Sequence, residues 1–368
     1  MIITAIVLIA FAIYYIYLVR FWRGISKHDN GFSYEKKTVS VVIAARNEVK
    51  TLPQLLTALV NQTYSDKLYE VIVANDCSTD GTAEIVSEFS AKWPFIKLHN
   101  VTGRENAASP KKNALGQVIE LATGELILST DADCLVGKYW IESMVAHYED
   151  DVQMVVGFSK TKLNSFQKSS FARKFEHFDC NSMFSANAGA VATDKYFSCT
   201  GQNISYRKSA FQSVGGFEKI KHLISGDDVN LMQLYRKEGY KIKFAFSDHS
   251  FAVTRPIDNW KQLLNQRSRW ASNTKFQLQL NPEFFFYLMS ALVVTIGPWV
   301  LLFLSPWIAI SIILLRMVGE YHFLKSSFKT FKIESKILKF YPSWFILQPI
   351  YMIVVASFGM FNVFRWKK

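Results

Sequence analysis

The chain has 368 residues, half of them hydrophobic, and its 42 Lys and Arg against 30 Asp and Glu give a formal charge of +12. That length exceeds one small domain. The basic residues gather beside the apolar segments, so the charge points to anionic membrane lipid and argues against nucleic acid as the partner.

Both ends are nearly pure apolar sequence, whereas residues from about 38 to 280 have the composition of a soluble domain. Residues 2–19 form an apolar run of about 18 residues, closed by Arg20 and Arg23. It has no basic n-region and no small-residue cleavage site, so it reads as a retained transmembrane anchor over residues 1–24. Arg20, Arg23 and Lys27 follow the run, and the positive-inside rule then sets the soluble domain in the cytoplasm, on the inner membrane.

Residues 39–45 are a near-continuous, β-branched apolar run, as a parallel strand buried on both faces requires. A helical pattern follows through Leu52, Leu55, Leu56 and Leu59. Residues 71–74 predict a second strand and 83–89 a second helix; 95–98 predict a third strand, 112–122 a third helix and 125–130 a fourth strand. This alternation predicts an α/β fold with a doubly wound sheet. Such sheets bind ligands beyond the carboxyl ends of their strands. Standing there are Arg46-Asn47-Glu48, then Asn75-Asp76-Cys77-Ser78-Thr79-Asp80-Gly81-Thr82, then Asp131-Ala132-Asp133.

In an extended segment, Asp131 and Asp133 would project to one side and could share a Mg²⁺ or Mn²⁺, hard cations that accept carboxylate, phosphate and water oxygens. The plainer reading is an Asx turn with a helix cap. Ser78, Thr79 and Asp80 suit N-caps, which leaves Asp76 to accept from a nucleobase or ribose. Ser225-Gly226-Asp227-Asp228 precedes a helical pattern through Val229, Leu231, Met232 and Leu234. One acid would complement that helix dipole, and the second makes a general base plausible. In Gln266-Arg267-Ser268-Arg269-Trp270, Gln266, Arg269 and Trp270 share one helical face. A snorkelling arginine and a belt tryptophan on an interfacial helix would account for this segment equally well.

Residues 284–304 and 307–324 are apolar stretches parted by Ser305-Pro306, a predicted membrane hairpin, and a third runs from about 344 to 364. Between them, over about 325–340, Lys325, Lys329, Lys332, Lys336 and Lys339 alternate with apolar residues as a basic amphipathic segment suited to an anionic leaflet. Residues 284–368 thus hold two or three transmembrane segments. Four spans in all would put Arg365-Trp366-Lys367-Lys368 outside, against the charge rule, unless one segment is re-entrant or interfacial. The four cysteines form no CxxC pair and read as reduced cytoplasmic thiols. The histidines show no zinc-ligand spacing.

The ordered set Ala-Arg-Asn-Glu (45–48), Asn-Asp-x-Ser-Thr-Asp-Gly-Thr (75–82), Asp-Ala-Asp (131–133), Gly-Asp-Asp (226–228) and Gln-x-x-Arg-Trp (266–270) resembles the inverting glycosyltransferases of family 2, in their membrane-integrated branch. That branch includes polysaccharide synthases and ceramide glucosyltransferases. The resemblance covers about residues 38 to 275 and implies a cytoplasmic domain of GT-A fold, doubly wound and Rossmann-like with a mixed sheet, over 38–280 between the membrane segments. It also implies roles. Glu48 and Asp76 contact the uridine of a UDP-sugar, with Lys111 near the nucleotide; Asp131 and Asp133 hold Mg²⁺ or Mn²⁺ on the diphosphate. Asp228 is the base, Arg269 neutralises the leaving diphosphate, and Trp270 stacks on the acceptor, with Gln266 beside it. Thr200-Gly201-Gln202-Asn203 and Arg207 match the acceptor-side segment. The family's acid pair commonly begins with Glu; here Asp227 is shorter, so its share in catalysis is the weakest of these implications.

The expected function is inverting transfer of a sugar from a UDP-sugar to a polysaccharide or oligosaccharide acceptor; the alternative is glycolipid synthesis on a ceramide or diacylglycerol acceptor. Nucleotidyl or phosphoryl transfer would bring a G-x-x-x-x-G-K-[ST] loop, which the sequence lacks. An inactive scaffold would have lost some of Asp76, Asp131, Asp133 and Asp228.

Overall fold

The computed structural model describes residues 1–26 and 35–364; Lys27 and the basic residues 365–368 lie outside them. The chain divides into two compact units, one of residues 29–162 and 198–255, the other of residues 1–28, 163–197 and 256–368. In chain order the elements begin with α1 (Ile2–Ser26), β1 (Val39–Ala45), α2 (Leu52–Val60), β2 (Tyr69–Asn75), α3 (Thr82–Lys92), β3 (Ile96–Asn100), α4 (Pro110–Leu121) and β4 (Leu126–Ser129). Then come β5 (Leu135–Val136), α5 (Trp140–Val145), β6 (Val152–Gly157), β7 (Ser159–Thr161), α6 (Phe171–Val191), β8 (Ile204–Arg207), α7 (Lys208–Ser213), α8 (Val229–Lys237), β9 (Lys241–Ala245) and β10 (Ala252–Thr254). The last are α9 (Trp260–Ala271), α10 (Thr274–Leu280), α11 (Pro282–Leu301), α12 (Pro306–Thr330) and α13 (Tyr341–Met360).

The first unit holds a seven-stranded mixed sheet, ordered β3-β2-β1-β4-β8-β6-β9, and a three-stranded sheet, ordered β5-β10-β7. β1 runs parallel to β2 and β4, and β2 to β3, while β8 is antiparallel to both β4 and β6. The apolar runs of β1, β2 and β4 are buried along almost their whole length, as strands covered on both faces must be. Val41, Ile43 and Leu128 pack with Leu52, Leu56 and Leu59 of α2 and with Trp140 in one core; each such side chain contributes about 1.5–3 kcal/mol by leaving water. The third strand begins at Ile96, one residue later than its apolar start, because the Ile96 N–H closes a turn onto the Trp93 carbonyl (2.9 Å) that takes up Phe95. Register positions the site. Ala45 lies opposite Asn75 and Ser129 opposite Ile204, so the loops after β1, β2 and β4 and the loop before β8 leave one edge of the sheet.

In the second unit, α1, α11, α12 and the stretch Ser335–Met360 are long and apolar enough to cross a membrane. Ser305-Pro306 joins α11 to α12, as expected of the hairpin. The basic segment at 325–340 is divided between two elements. Lys325 and Lys329 finish α12, Lys332 turns the chain with a φ of 51°, and Lys336 and Lys339 fall on a 3-10 turn, Ser335–Phe340, whose Ile337, Leu338 and Phe340 are buried. An ion pair lies inside the apolar helices: Arg316 Nε donates to Glu320 Oε1 (2.6 Å), which also accepts from Tyr14 of α1 (2.7 Å), and Glu320 Oε2 accepts from Tyr341 of α13 (3.1 Å). Charges at such depth persist only when paired, and this one ties three helices together.

Candidate active site at the carboxyl edge of the sheet

The loops after β1 and β2 are stitched to one another. The Asp76 N–H donates to the Ala45 carbonyl (2.9 Å). Asn47, in the left-handed region at φ 56°, donates its N–H to Ser78 Oγ (3.1 Å) and accepts the Thr79 N–H on Oδ1 (2.8 Å). Glu48 donates its N–H to Thr82 Oγ1 (2.9 Å), and Asp80 Oδ2 accepts from the Val49 N–H (3.2 Å). Ser78, Asp80 and Thr82 therefore brace the neighbouring loop, and the N-cap position of α3 falls on Gly81, at φ 87°. Asp76 is buried. Its Oδ2 pairs with Arg104 of the turn after β3, while its Oδ1 and the Nε and Nη1 of Arg46 are shielded from solvent with no hydrogen-bond partner among the described residues. Burial raises the Asp76 carboxyl, with the Arg46 charge opposing. Buried polar atoms left unmatched are costly unless something completes them, and an acceptor beside guanidinium donors is what a nucleobase edge can complete.

Next along the edge is an acidic cluster organised by one lysine. Thr130 Oγ1 donates to the Gln202 carbonyl (2.9 Å), and the Cys134 N–H donates to the Asp131 carbonyl (3.0 Å). Asp131-Ala132-Asp133 is thus a turn rather than an extended segment, which removes the argument that residues two apart face one side. Asp131 is half-buried and Asp133 exposed. Lys111, in the first turn of α4, places Nζ 2.8 Å from Asp131 Oδ1 and 3.0 Å from Asp227 Oδ2. Asp228 caps α8: its Oδ1 accepts the Val229 N–H (2.6 Å) and its Oδ2 the Gly201 N–H (2.7 Å).

Burial raises both acids of the pair, but at Asp227 the charge and hydrogen bond of Lys111, with a backbone hydrogen bond and the Lys112 charge, together outweigh it and hold the carboxyl below its ordinary value. Asp228 is pushed up to about 6 by burial and by the Asp227 charge. Burial works against the Lys111 ammonium, yet Asp131, Asp227 and Asp228 together hold it well above the usual lysine range. Two neighbouring carboxylates with divergent proton affinities are the pattern of one structural acid and one base. Lys112 donates to the Ile220 and Leu223 carbonyls (2.7 and 2.5 Å) and so fixes the chain leading to the acid pair. Burial lowers its ammonium to about 8. No three His, Cys, Asp or Glu converge as a metal cage among the described residues. Asp131 and Asp133, two acids on one turn beside Lys111, could hold a Mg²⁺ or Mn²⁺ whose other ligands are phosphate and water.

Gly201 packs tightly against the charged array. A Cβ there would lie 3.0 Å from Asp227 Oδ2 and 3.1 Å from Lys111 Nζ. Gly201→Ala is expected to lower kcat on the order of a hundredfold by displacing the charged array. Because Lys111 can swing its far end aside, the thermal midpoint should move by only a few degrees. Thermal unfolding beside steady-state kinetics separates the two; a large loss of midpoint would mean that Gly201 is chiefly structural.

Gln266, Arg269 and Trp270 belong to the other unit, on α9. The residue within that motif whose fixing the structure shows most clearly is Arg267, which the sequence reading did not single out. It is buried, with Nε 3.2 Å from Asp179 Oδ2 and Nη2 3.6 Å from Glu176 Oε1. Its Nη1 donates to Gln266 Oε1, and its guanidinium lies over the Trp270 ring at 4.4 Å. Asp179 also accepts from Trp344 and Tyr351 of α13 (both 3.3 Å).

Two positions of the acceptor-side segment are structural. Asn203 is a buried hub that accepts from Trp140 Nε1 (3.0 Å) and donates to the Phe158 and Ser250 carbonyls (3.0 and 2.7 Å). Arg207 pairs with Glu125 and donates to the Val152 and Glu149 carbonyls. Gln202, by contrast, has its Oε1 buried without a hydrogen-bond partner among the described residues. Arg104 was missed although the rule for strand ends reaches it, since it follows β3 as Asp76 follows β2.

A mixed sheet with this strand order and an acid-lined carboxyl edge is the architecture of the GT-A glycosyltransferases. Residues 40–215 match the family model described as "Glycosyl transferase family 2", and that stretch belongs to the family. The chain is similar to "Probable glycosyltransferase YdaM" of Bacillus subtilis (strain 168), 30% identical over 258 residues, which are 70% of this chain and 59% of that one. It is also similar to the "Beta-monoglucosyldiacylglycerol synthase" of Nostoc sp. (strain PCC 7120 / SAG 25.82 / UTEX 2576), 28% identical over 239 residues, or 63% of this chain and 48% of the synthase. The chain thus spans about half to three-fifths of the length of these two relatives. Among solved structures, the mannosyltransferase PcManGT from Pyrobaculum calidifontis, in complex with GDP-Man and Mn²⁺, shares the fold with a TM-score of 0.61. It is 19% identical, and the match covers 98% of this chain and 99% of that one.

Proposed function

We propose that the chain is an inverting hexosyltransferase, anchored by residues 1–24 and 284–368, whose catalytic domain at 38–280 faces the cytoplasm. It moves a sugar from a UDP-sugar to a polysaccharide or oligosaccharide acceptor. The observation that carries this reading is the raised Asp228 carboxyl, aimed by two backbone N–H groups and set beside the Lys111–Asp131–Asp227 array. Asp228 accepts the acceptor hydroxyl proton as that oxygen attacks the anomeric carbon in line with the diphosphate. Asp227 and Asp131 hold Lys111, whose ammonium receives the diphosphate. Glu48 and Asp76, with Arg46 and Arg104, bind the nucleoside. Gly201 and Gln202 serve the acceptor, and Gln266 and Trp270 of α9 are assigned to it by the family resemblance alone. Asp131 and Asp133 would hold a Mg²⁺ or Mn²⁺, which when bound would supply positive charge to the diphosphate. Arg269 adds to that charge, which counts most as the leaving group becomes more anionic.

The second reading is single-sugar transfer to a lipid. The named activity of the Nostoc relative favours it, and so do the three candidate spans after the domain, few for a polymer channel built by one chain. The test incubates detergent-purified protein with UDP-glucose, UDP-N-acetylglucosamine, UDP-galactose and GDP-mannose, with Mn²⁺ or Mg²⁺. Release of nucleoside diphosphate is scored with and without lipid extract; GDP-mannose is included because PcManGT holds it. Release from a UDP-sugar is expected, and product length then separates polymer from glycolipid. Release from GDP-mannose alone would overturn the donor assignment.

Asp133→Asn is expected to cut metal-dependent release by about a hundredfold or more, the loss that follows removal of a direct charge stabiliser. Near wild-type turnover, or turnover unaffected by chelation, would remove the metal assignment.

A further inference from the structure

The membrane unit carries a groove that the transfer reaction does not use. α1 and α6 meet through two glycines: a Cβ on Gly24 would lie 3.0 Å from Thr193 Cγ2 and 3.2 Å from Ala192 Cβ, and one on Gly189 would meet the backbone of Phe21. That close approach at the end of α1 leaves a cavity of about 870 Å³ beside it. Its wall is one face of α1, formed by Phe11, Tyr15, Ile16 and Val19, and its floor at the basic end is Arg20 and Arg23. From Phe11 to Val19 the helix rises about 12 Å, enough to lie along much of one acyl chain. A second hollow of about 300 Å³ shares Val19 and Arg23 and is closed by Trp22 and Ser26. The Trp22 ring stacks on His322 of α12, centroids 6.3 Å apart.

The charge at this end is fixed and net positive. Arg20 Nη2 donates to the Thr193 carbonyl past the end of α6 (2.8 Å), which sets the guanidinium at the groove mouth. The nearby Lys195 and Glu283 neutralise each other as an ion pair, with Tyr17 donating to Glu283 (2.7 Å). An apolar slot ending in two arginines, with a small part-polar hollow beyond, complements one kind of molecule: an acyl chain joined to an anionic phosphate.

We propose that this groove binds one anionic membrane phospholipid. Its acyl chain lies along the Phe11–Val19 face, its phosphate between Arg20 and Arg23, and the rest of its headgroup in the hollow by Trp22 and Ser26. The inference rests on α1 being a membrane span and is independent of which sugar or acceptor the enzyme uses.

The full chain, purified in neutral detergent, is incubated with an equimolar mixture of phosphatidylglycerol and phosphatidylcholine of identical acyl chains and examined by native mass spectrometry. One bound phosphatidylglycerol per chain is expected, favoured roughly thirtyfold, since each of two arginines at the membrane surface contributes about fivefold. Arg20→Gln with Arg23→Gln should bring the two lipids to parity. Ala12→Trp, which fills the slot and leaves both charges, should lower retention of both lipids. Equal binding of the two lipids by the wild-type protein would overturn the proposal without any variant. Phosphatidylglycerol retention unchanged in both variants, or a mass of two chains without lipid, would overturn it as well, the last by showing that a second copy covers the groove.

Discussion

Replacing Asp228 with asparagine is expected to lower the rate of sugar transfer by roughly a thousandfold, the middle of the range for loss of a positioned general base, while nucleotide binding measured by calorimetry stays at the wild-type value. The separation is expected because Asp228 reaches Gly201 and the start of α8, whereas the unmatched Arg46 donors and Asp76 acceptor lie on the loops after β1 and β2. Loss of nucleotide affinity in the variant would put Asp228 in the donor site instead.

The same residue sets a pH dependence with a definite sign. The Asp228 carboxyl sits at about 6 against an ordinary 3.8, raised by burial and by Asp227. A protonated carboxyl cannot accept the hydroxyl proton, so kcat/KM should fall as pH drops through about 6, and the limb should vanish in Asp228→Asn. Stability runs the other way. The folded state holds this proton more tightly than the unfolded chain does, so the associated stability is present below the ordinary value and is lost as pH rises through about 6. At neutral pH the ionised group is a cost that the fold carries for function. Asparagine removes the charge and retains an oxygen for one of the two N–H groups, so the variant should melt no lower than wild type at neutral pH. A marked drop in its midpoint would assign Asp228 to the fold rather than to chemistry.

The parallel half of the sheet was legible because β1, β2 and β4 are short, almost unbroken apolar runs followed by polar loops. The third strand was legible too, but those from β5 onward were not. β8 is Ile-Ser-Tyr-Arg, too short and too mixed for periodicity to register, and it enters the sheet by pairing with β4 over a long sequence separation. The helix α6 escaped for a related reason: its buried face includes Glu176, His177, Asp179 and Asn181, so a search for apolar stripes passes over it. At the site, the acids were visible one by one, but their linkage through Lys111 is tertiary. The turn at Asp131–Cys134 depends on one backbone hydrogen bond that a reading of Asp-Ala-Asp as extended strand cannot supply.

The cluster that escaped detection supports the second large prediction. Arg267→Met is expected to destabilise the protein by about 3–5 kcal/mol, the usual consequence of removing one partner from a buried charge cluster. It strands Asp179 and Glu176 where burial shields them from water, and it takes away the guanidinium that Gln266 and Trp270 rest against. Glu176 already sits near 7 against an ordinary 4.5, chiefly through burial, with Arg267 opposing. Its raised proton affinity contributes stability that is fully present below the ordinary value and lost as pH rises through about 7. Without Arg267 the penalty of ionising Glu176 grows, so the deficit of the variant should be largest above pH 7 and shrink toward pH 5. Thermal unfolding in detergent across that range measures it, and a deficit independent of pH would mean that lost packing, not stranded charge, is the cause. Adding Glu176→Gln and Asp179→Asn to Arg267→Met should recover much of the stability, since an uncharged polar cluster has no unpaired ion to bury. If the triple variant is stable yet slow in transfer with unchanged nucleotide affinity, Arg267 is a positioning residue for Gln266 and Trp270. If it is stable and fully active, the cluster serves only to join α6, α9 and α13.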